Sequence, residues 1–368
     1  MKESRILIYN DSPIFGGHEL MTINMANILS KYYDVYFLYF YPKIGNYLNN
    51  KIKKIRINIS SKPPLASFRI FNLLDLIKLK AIIKSKKIDL TIVSQGTIEL
   101  SLKGAIVSKW LGIKTVSYIP LCFPSSKMGI KFGKIRDIFN KRFYYLFDAF
   151  ITISDEQKEL IKIWNKNAKV FVLPNLVKLN HLSESNYCFF KNRTIKIGVV
   201  GRISFKQKGQ DKLIEIAKLL KKNGIKFLIF VIGEGPDKRK LQNQIKREKL
   251  DRFFVFTGWI DDKKKIYNII DLLLITSNFE GVPLNMLEAL IAYKPVLAPY
   301  QGIFKEYLSE DFLYEKYEDI PLRINKLIKE PEKVKKIFNT LRLRVLNTHN
   351  EENFEKTLMK IISGLLNE

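Results

Sequence analysis

The sequence predicts an α/β protein: two doubly wound, parallel-sheet (Rossmann-like) domains facing a cleft. Three observations carry that prediction. The chain has 368 residues, too long for one typical domain, and a 46% hydrophobic share with 12% aromatics is enough for two packed cores. Apolar runs alternate with amphipathic stretches almost throughout. The runs are apolar from end to end instead of alternating with polar residues, as in parallel strands covered on both faces.

In chain order, the first half supplies "RILIY", "DVYFLYF", "IDLTIVS", "KTVSYI", "AFITIS" and "KVFVLP", each separated from the next by a helical pattern. The second half repeats the scheme with "IKIGVVG", "KFLIFVIG", "FFVFTG", "DLLLITS" and "KPVLAP". Between the halves, residues 175–194 hold Asn175, Ser183, Ser185 and Asn186 without a sustained period, which predicts a linker. The expected domains are 1–177 and 178–345, with a last helix over 346–368 packing back on the first domain. Ligands of such sheets bind outside the carboxyl ends of the strands, so the turns there are the places to look for chemistry.

Charge narrows the partners without choosing one. Lys and Arg number 63 against 36 Asp and Glu, a net +27, which suits nucleic acid, an anionic membrane surface or a phosphorylated substrate. Richness in Lys, Ile and Asn also fits translation of an AT-rich genome, in which case many lysines are only solvated surface. The N-terminus has no long apolar leader and no apolar run of about 18 residues occurs, so a cytoplasmic protein is expected, peripheral on the inner face of a membrane if attached to one. Cys122 and Cys188 are too few for a disulfide framework or a zinc site and read as free thiols. In "PSSKMGIKFGKIRDIFNKRFYYLF", Lys127, Lys131, Lys134, Lys141 and Arg142 interleave with Phe132, Ile135, Ile138, Phe139, Phe143 and Phe147. That spacing serves a helix lying on an anionic membrane, and equally one packing its aromatic face on the first sheet.

Three strand ends carry candidate chemistry. In "NFEGVPLNMLEAL", Pro283 suits the first position of a helix, because its φ is preset and its missing N–H would go unused. Glu280 precedes that helix and Glu288 lies on it. The amides of Val282, Leu284 and Asn285 would face an anion that Gly281 lets approach. In "GVVGRISFKQKG", Arg202 and Lys208 set a guanidinium fork and a point charge at one strand end, enough to clamp a diphosphate without a metal. The turn Gly16-Gly17-His18 follows the first strand and opens a helix whose backbone could reach a phosphate. No D-x-D pair occurs in these regions, so no required metal is expected.

"VVGRISFKQKGQD", "FVIGEGPDKRKLQ", "FTGWID" and "DLLLITSNFEGVPLNMLEALIA" stand in the order and approximate spacing of glycosyltransferase family 4, the group 1 retaining nucleotide-sugar transferases of GT-B architecture. The resemblance is strong over residues 195–300 and loose in the first half. It implies an acceptor-binding first domain and a donor-binding second one. It makes Arg202 and Lys208 the diphosphate clamp, Glu280 the contact to the donor sugar, Glu288 the ribose ligand and Gly233 the turn beside the base. Gly16, Gly17, Gly281, Val282, Pro283 and Leu284 complete the donor set. No cofactor is expected either, the nucleotide being part of the substrate.

The implied activity is hexosyl transfer to a hydroxyl acceptor, a glycan or a lipid-linked one, in bacterial surface polysaccharide, lipopolysaccharide or glycolipid synthesis. Many relatives carry a histidine after the fifth strand of the first domain; "VSYIPLCF" has none. Of His18, His181 and His349, only His18 adjoins a motif, and an exposed loop position without a role is expected for it. A nucleotide-sugar epimerase or a phosphorylase of the same architecture is the alternative enzyme, though both lack this combination of motifs. A nucleic-acid-binding protein lacks any motif of its own here.

Overall fold

The computed structural model describes residues 4–60, 72–178 and 194–368. It divides into two compact units, Met1–Leu176 with Glu351–Glu368, and Val177–Asn350. Most of the expected linker, together with His181 and Cys188, lies outside the described residues. Among the described residues, no helix is long and apolar enough to cross a membrane.

The first unit is a seven-stranded parallel sheet in the order β3-β2-β1-β4-β5-β6-β7. Its strands are β1 (Arg5–Asn10), β2 (Asp34–Tyr39), β3 (Lys53–Arg56), β4 (Leu90–Ser94), β5 (Lys114–Tyr118), β6 (Ala149–Thr152) and β7 (Val170–Val172). β1, β4, β5 and β6 are buried almost without break, as their apolar runs require. β3 is not expected from the sequence because "KKIR" is an edge strand with both lysines exposed, the charged edge that discourages pairing with another chain.

Gly104, in the helix Leu102–Trp110, lies so close to the Tyr9 ring that a Cβ there would collide with it. The last helix, Glu351–Asn367, belongs to this unit; Lys31 pairs with Glu355 at 2.7 Å, and Lys114 donates to the Leu365 carbonyl at 2.8 Å. The basic stretch forms the helix Gly133–Phe143. Of its aromatics, Phe143 and, beyond its end, Phe147 pack on the core, whereas Phe132 and Phe139 are exposed, so the face expected against the sheet packs there only at its C-terminal end.

The second unit is a six-stranded parallel sheet in the order β10-β9-β8-β11-β12-β13. It is built from β8 (Ile195–Val200), β9 (Phe227–Ile232), β10 (Phe254–Gly258), β11 (Leu272–Leu274), β12 (Val296–Pro299) and β13 (Leu313–Tyr314). β13, two residues long, offers no period for a sequence to display. Each sheet reverses its winding once, between β1 and β4 in the first and between β8 and β11 in the second. Such a reversal opens a crevice at the carboxyl ends of the two strands, and that is where ligands of this fold class bind.

Candidate functional site

The residues after β8 and β11 meet at the switch point of the second unit. β8 runs into Gly201, whose φ of +136° suits glycine, and Arg202 follows with its side chain exposed and, among the described residues, paired with no carboxylate. A short helix, Phe205–Lys208, then ends at Gly209 with φ +63°. A Cβ on Gly209 would strike the Thr276 carbonyl, so glycine is what lets this turn touch the strand-end loop after β11.

The contact is stitched by hydrogen bonds. Thr276 Oγ1 donates to the Lys208 carbonyl at 2.7 Å, the Asn278 amide donates to the Gln207 carbonyl at 2.7 Å, and Asn278 Nδ2 reaches the carbonyls of Phe205 and Lys206. Lys212 Nζ ties the same loop from below, donating to the Thr276 carbonyl at 2.9 Å and to Asn278 Oδ1 at 2.6 Å. Burial lowers its pKa from the ordinary lysine value.

This scaffold brings Lys208 against Glu280. Their side chains form an ion pair on Glu280 Oε1, which also accepts from Ser277 Oγ at 2.6 Å, and Glu280 is only 9% exposed. A buried carboxylate needs such partners, because an uncompensated charge there would cost several kcal/mol. Gln301 Nε2, donating to the Ser277 carbonyl at 2.9 Å, holds the loop from the β12 side.

The helix after this loop runs Leu284–Ile291, one residue later than expected. Pro283 is its N-cap, with ψ 123°; its carbonyl already accepts from Met286 and Leu287, the part played by the residue just ahead of a helix. The amides of Leu284 and Asn285 still open the first turn, where no earlier helical carbonyl can reach them. Asn285 donates Nδ2 to the Val200 carbonyl at 2.7 Å, fastening the helix start to the end of β8, and its buried Oδ1 has no hydrogen-bond partner among the described residues. Glu288, a turn further on, is held separately: Lys263 Nζ lies 3.1 Å from Oε1, and the Tyr267 hydroxyl lies 2.9 Å from Oε2 and 3.0 Å from the Asn285 carbonyl. Burial and the Glu288 charge push the Tyr267 phenol well above its ordinary pKa, so it stays a donor.

Gly233 completes the second-unit group. With φ +144° it packs its backbone on the Gly201 carbonyl, and Gly235 does the same against Ile203, so the "GEGP" turn lies directly on the "GRIS" turn. The structure therefore gathers Gly201, Arg202, Lys208, Gly233, Glu280, Gly281, Val282, Pro283, Leu284 and Glu288 at one switch point. Ser277, Lys212, Lys263 and Tyr267 are not among the residues the sequence points to, and of Asn285 it points to the amide but not to the side chain that ties the helix to β8. Ser277 carried a usable signal, three residues ahead of Glu280, whereas Lys263 in "DDKKKI" looks like any solvated charge.

Gly16 and Gly17 stand at the other switch point, in the first unit. Gly16 caps the helix Gly17–Leu29, and its amide donates to Glu19 Oε2 at 2.9 Å, so that N–H serves a phosphate only if this bond opens. His18 is in the first turn of the helix, not on an exposed loop. Its Nδ1 lies 2.8 Å from Glu19 Oε1 and its Nε2 2.7 Å from Ser94 Oγ, which also joins Thr22 Oγ1 at 2.6 Å and Asn10 Nδ2 at 3.0 Å. Burial alone would raise the Glu19 pKa, but His18 and a hydrogen bond from Ser12 hold it below the ordinary glutamate value. His349 is in the second unit, buried, with its Nε2 2.9 Å from the Tyr307 hydroxyl.

Residues 189–343 match the family model described as glycosyl transferases group 1. An uncharacterized glycosyltransferase of Haemophilus influenzae is 26% identical over 332 residues, 86% of this chain and 88% of that protein. The amylovoran biosynthesis glycosyltransferase AmsD of Erwinia amylovora is 25% identical over 295 residues, 77% of each. In fold, the chain is similar to Anabaena Alr3699/HepE, solved in complex with UDP and glucose, with a TM-score of 0.79 at 19% identity over 98% of this chain and all of that one.

Proposed function

We propose, from the premise of the group 1 glycosyltransferase that the family match, the relatives and the GT-B fold support, that this enzyme transfers a hexosyl group from a nucleotide diphosphate sugar to a hydroxyl acceptor, with retention and without a required metal. The observation that carries the reading is the Lys208–Glu280 pair, set at the second unit's switch point between the exposed Arg202 and the open first turn of the 284–291 helix. A cation, a fork and a helix N-terminus in one place suit a diphosphate, and an acid beside them suits sugar hydroxyls. The HepE complex with UDP and glucose supports a nucleotide-sugar donor of this kind.

In this reading the bond from the anomeric carbon to the diphosphate oxygen breaks while the acceptor oxygen bonds to that carbon on the same face. The acceptor proton passes to the departing phosphate, whose growing negative charge meets Arg202, Lys208 and the helix start already in place. That charge exists fully only as the bond breaks, so these groups act on the transition state more than on the bound donor. Glu280 would hold the sugar hydroxyls once the donor draws Lys208 toward its phosphates, and Glu288 would bind the ribose. The AmsD relative, named for amylovoran biosynthesis, supports a place in the synthesis of a surface polysaccharide or glycolipid. The acceptor would then be a glycan or a lipid-linked one, met on the cytoplasmic face of a membrane.

The experiment is a thermal-shift screen of UDP, GDP, ADP and their hexose conjugates. A ligand at 100 times its Kd should stabilise the protein by about 2.7 kcal/mol. Stabilisation by none of them would remove the nucleotide-sugar reading.

A further inference from the structure

The helix Gly133–Phe143 is amphipathic inside out. Gly133, Asp137 and Asn140, with Tyr144 after the helix, recur at i, i+4, i+7 and i+11 and are buried, whereas Ile135, Ile138 and Phe139 are 56%, 69% and 56% exposed. Phe132, just ahead of the helix, is 67% exposed and sits at φ +58°, a left-handed conformation uncommon for so bulky a side chain.

Its polar side is fixed inward. Asp137 accepts from the Ser125 amide at 2.6 Å and from the Ser126 amide and hydroxyl at 3.1 and 2.5 Å. Asn140 Nδ2 and Ser125 Oγ donate to Glu99 Oε1 at 2.7 and 2.9 Å, and Arg136 forms an ion pair with the same buried carboxylate. Rolling the helix to bury its isoleucines would strand Glu99 and Asp137 without these partners, at a cost larger than the apolar gain. The apolar face is thereby held in water.

Charge says what would cover it. Lys127, Lys131, Lys134, Lys141 and Arg142 are all exposed around the apolar residues, and the helix's one acid, Asp137, is turned inward. The matching surface is anionic outside and apolar beneath. We propose that this helix seats the protein on an anionic lipid membrane, its cations on the headgroups and Phe132, Ile135, Ile138 and Phe139 in the acyl boundary. A nucleic acid would use the cations but leave those four side chains in water. The inference names the surface from which a lipid-linked acceptor would be reached, and its evidence is independent of the donor reading.

The test is sedimentation with vesicles of phosphatidylcholine alone and with an equal part of phosphatidylglycerol, at low and high salt. The protein should bind the anionic vesicles, not the neutral ones, and retain part of that binding at high salt. Replacing Ile135, Ile138 and Phe139 together by Ser should weaken binding by more than about tenfold and abolish the salt-resistant part, because buried apolar area is lost. Reversing Lys131, Lys134, Lys141 and Arg142 to Glu should abolish binding at low salt, where headgroup attraction acts. All seven positions are on the exposed side, so melting temperature and UDP affinity, measured on the same samples, should not move. Wild-type protein left in the supernatant with anionic vesicles at low salt would overturn the proposal, as would a triple-Ser variant binding like wild type. So would a polyuridylate complex that excludes the vesicles and tolerates the Ser changes. A protein that binds vesicles but no nucleotide would sink the donor reading and leave this one standing.

Discussion

The two switch points have the same topology and opposite chemistry. In the second unit, the ends of β8 and β11 present charge: Lys208 against Glu280, Lys263 against Glu288, and Arg202 unpaired with any acid among the described residues. In the first unit, the ends of β1 and β4 join hydroxyls, amides and one imidazole, Asn10, Thr22, Ser94 and His18, with Glu19 turned back as a helix cap. A doubly wound sheet sets where a site can form; side chains at the strand ends decide what it binds. Charged pairs that a diphosphate can rearrange suit the donor, whereas hydroxyls, amides and a His18–Glu19 contact already bonded to one another suit support of a turn.

The sharpest way to break this contrast is Glu280→Gln. It keeps volume, removes charge, and leaves Ser277 and Lys208 facing an amide, so the melting curve should hold while kcat falls by about 10²–10³ or more. Retained turnover would move the chemistry away from the second switch point.

A smaller effect is expected from Glu99→Gln in the first unit, where charge acts on stability alone. Burial would raise the Glu99 pKa, but hydrogen bonds from Arg136 and Asn140 and the Arg136 charge hold it below its ordinary value. A carboxylate with a depressed folded pKa contributes stability that is complete above its unfolded pKa, about 4.3, and is lost as pH falls through the folded value. The variant should therefore be less stable by about 2–3 kcal/mol at neutral pH, with the gap to wild type closing below about pH 4. Urea denaturation across pH reads this directly, and a gap that stays constant into acid would show that the Glu99 charge is not its source. The smallest expected effect is none: EDTA should leave turnover unchanged. Activity lost to the chelator and restored by Mg²⁺ would end the metal-free mechanism.

How legible each switch point was in the sequence follows from the same contrast. The strands of both sheets could be read because parallel strands covered on both faces are apolar throughout; β3 and β13 could not, one being a charged edge and the other two residues long. Glu280, Arg202 and Lys208 stood out because each is a charge set in a glycine- or proline-marked turn, and Glu288 because it follows Glu280 by eight positions on the helix that Pro283 opens. Lys212 did not, since its importance lies in the distant Thr276 carbonyl and Asn278 side chain it reaches, a matter of tertiary geometry, whereas Ser277, three residues ahead of Glu280, had only its spacing to mark it. His18 was misplaced for a related reason. Its partner Ser94 is 76 residues away, and no local pattern announces the pair. The 133–143 helix showed its composition but not its orientation, which Glu99 and Asp137 determine from the buried side.

In the proposed reading, the second unit's strand-end cations hold the donor diphosphate. Calorimetric titration of the nucleoside diphosphate that gives the largest thermal shift, into wild type, the Arg202→Ala/Lys208→Ala variant and the Lys131→Glu/Lys134→Glu variant, tests it most directly. Affinity should weaken by about 10²-fold or more in the first variant, since two charge-assisted contacts are lost, and stay unchanged in the second. Wild-type affinity in the Arg202→Ala/Lys208→Ala protein would contradict it.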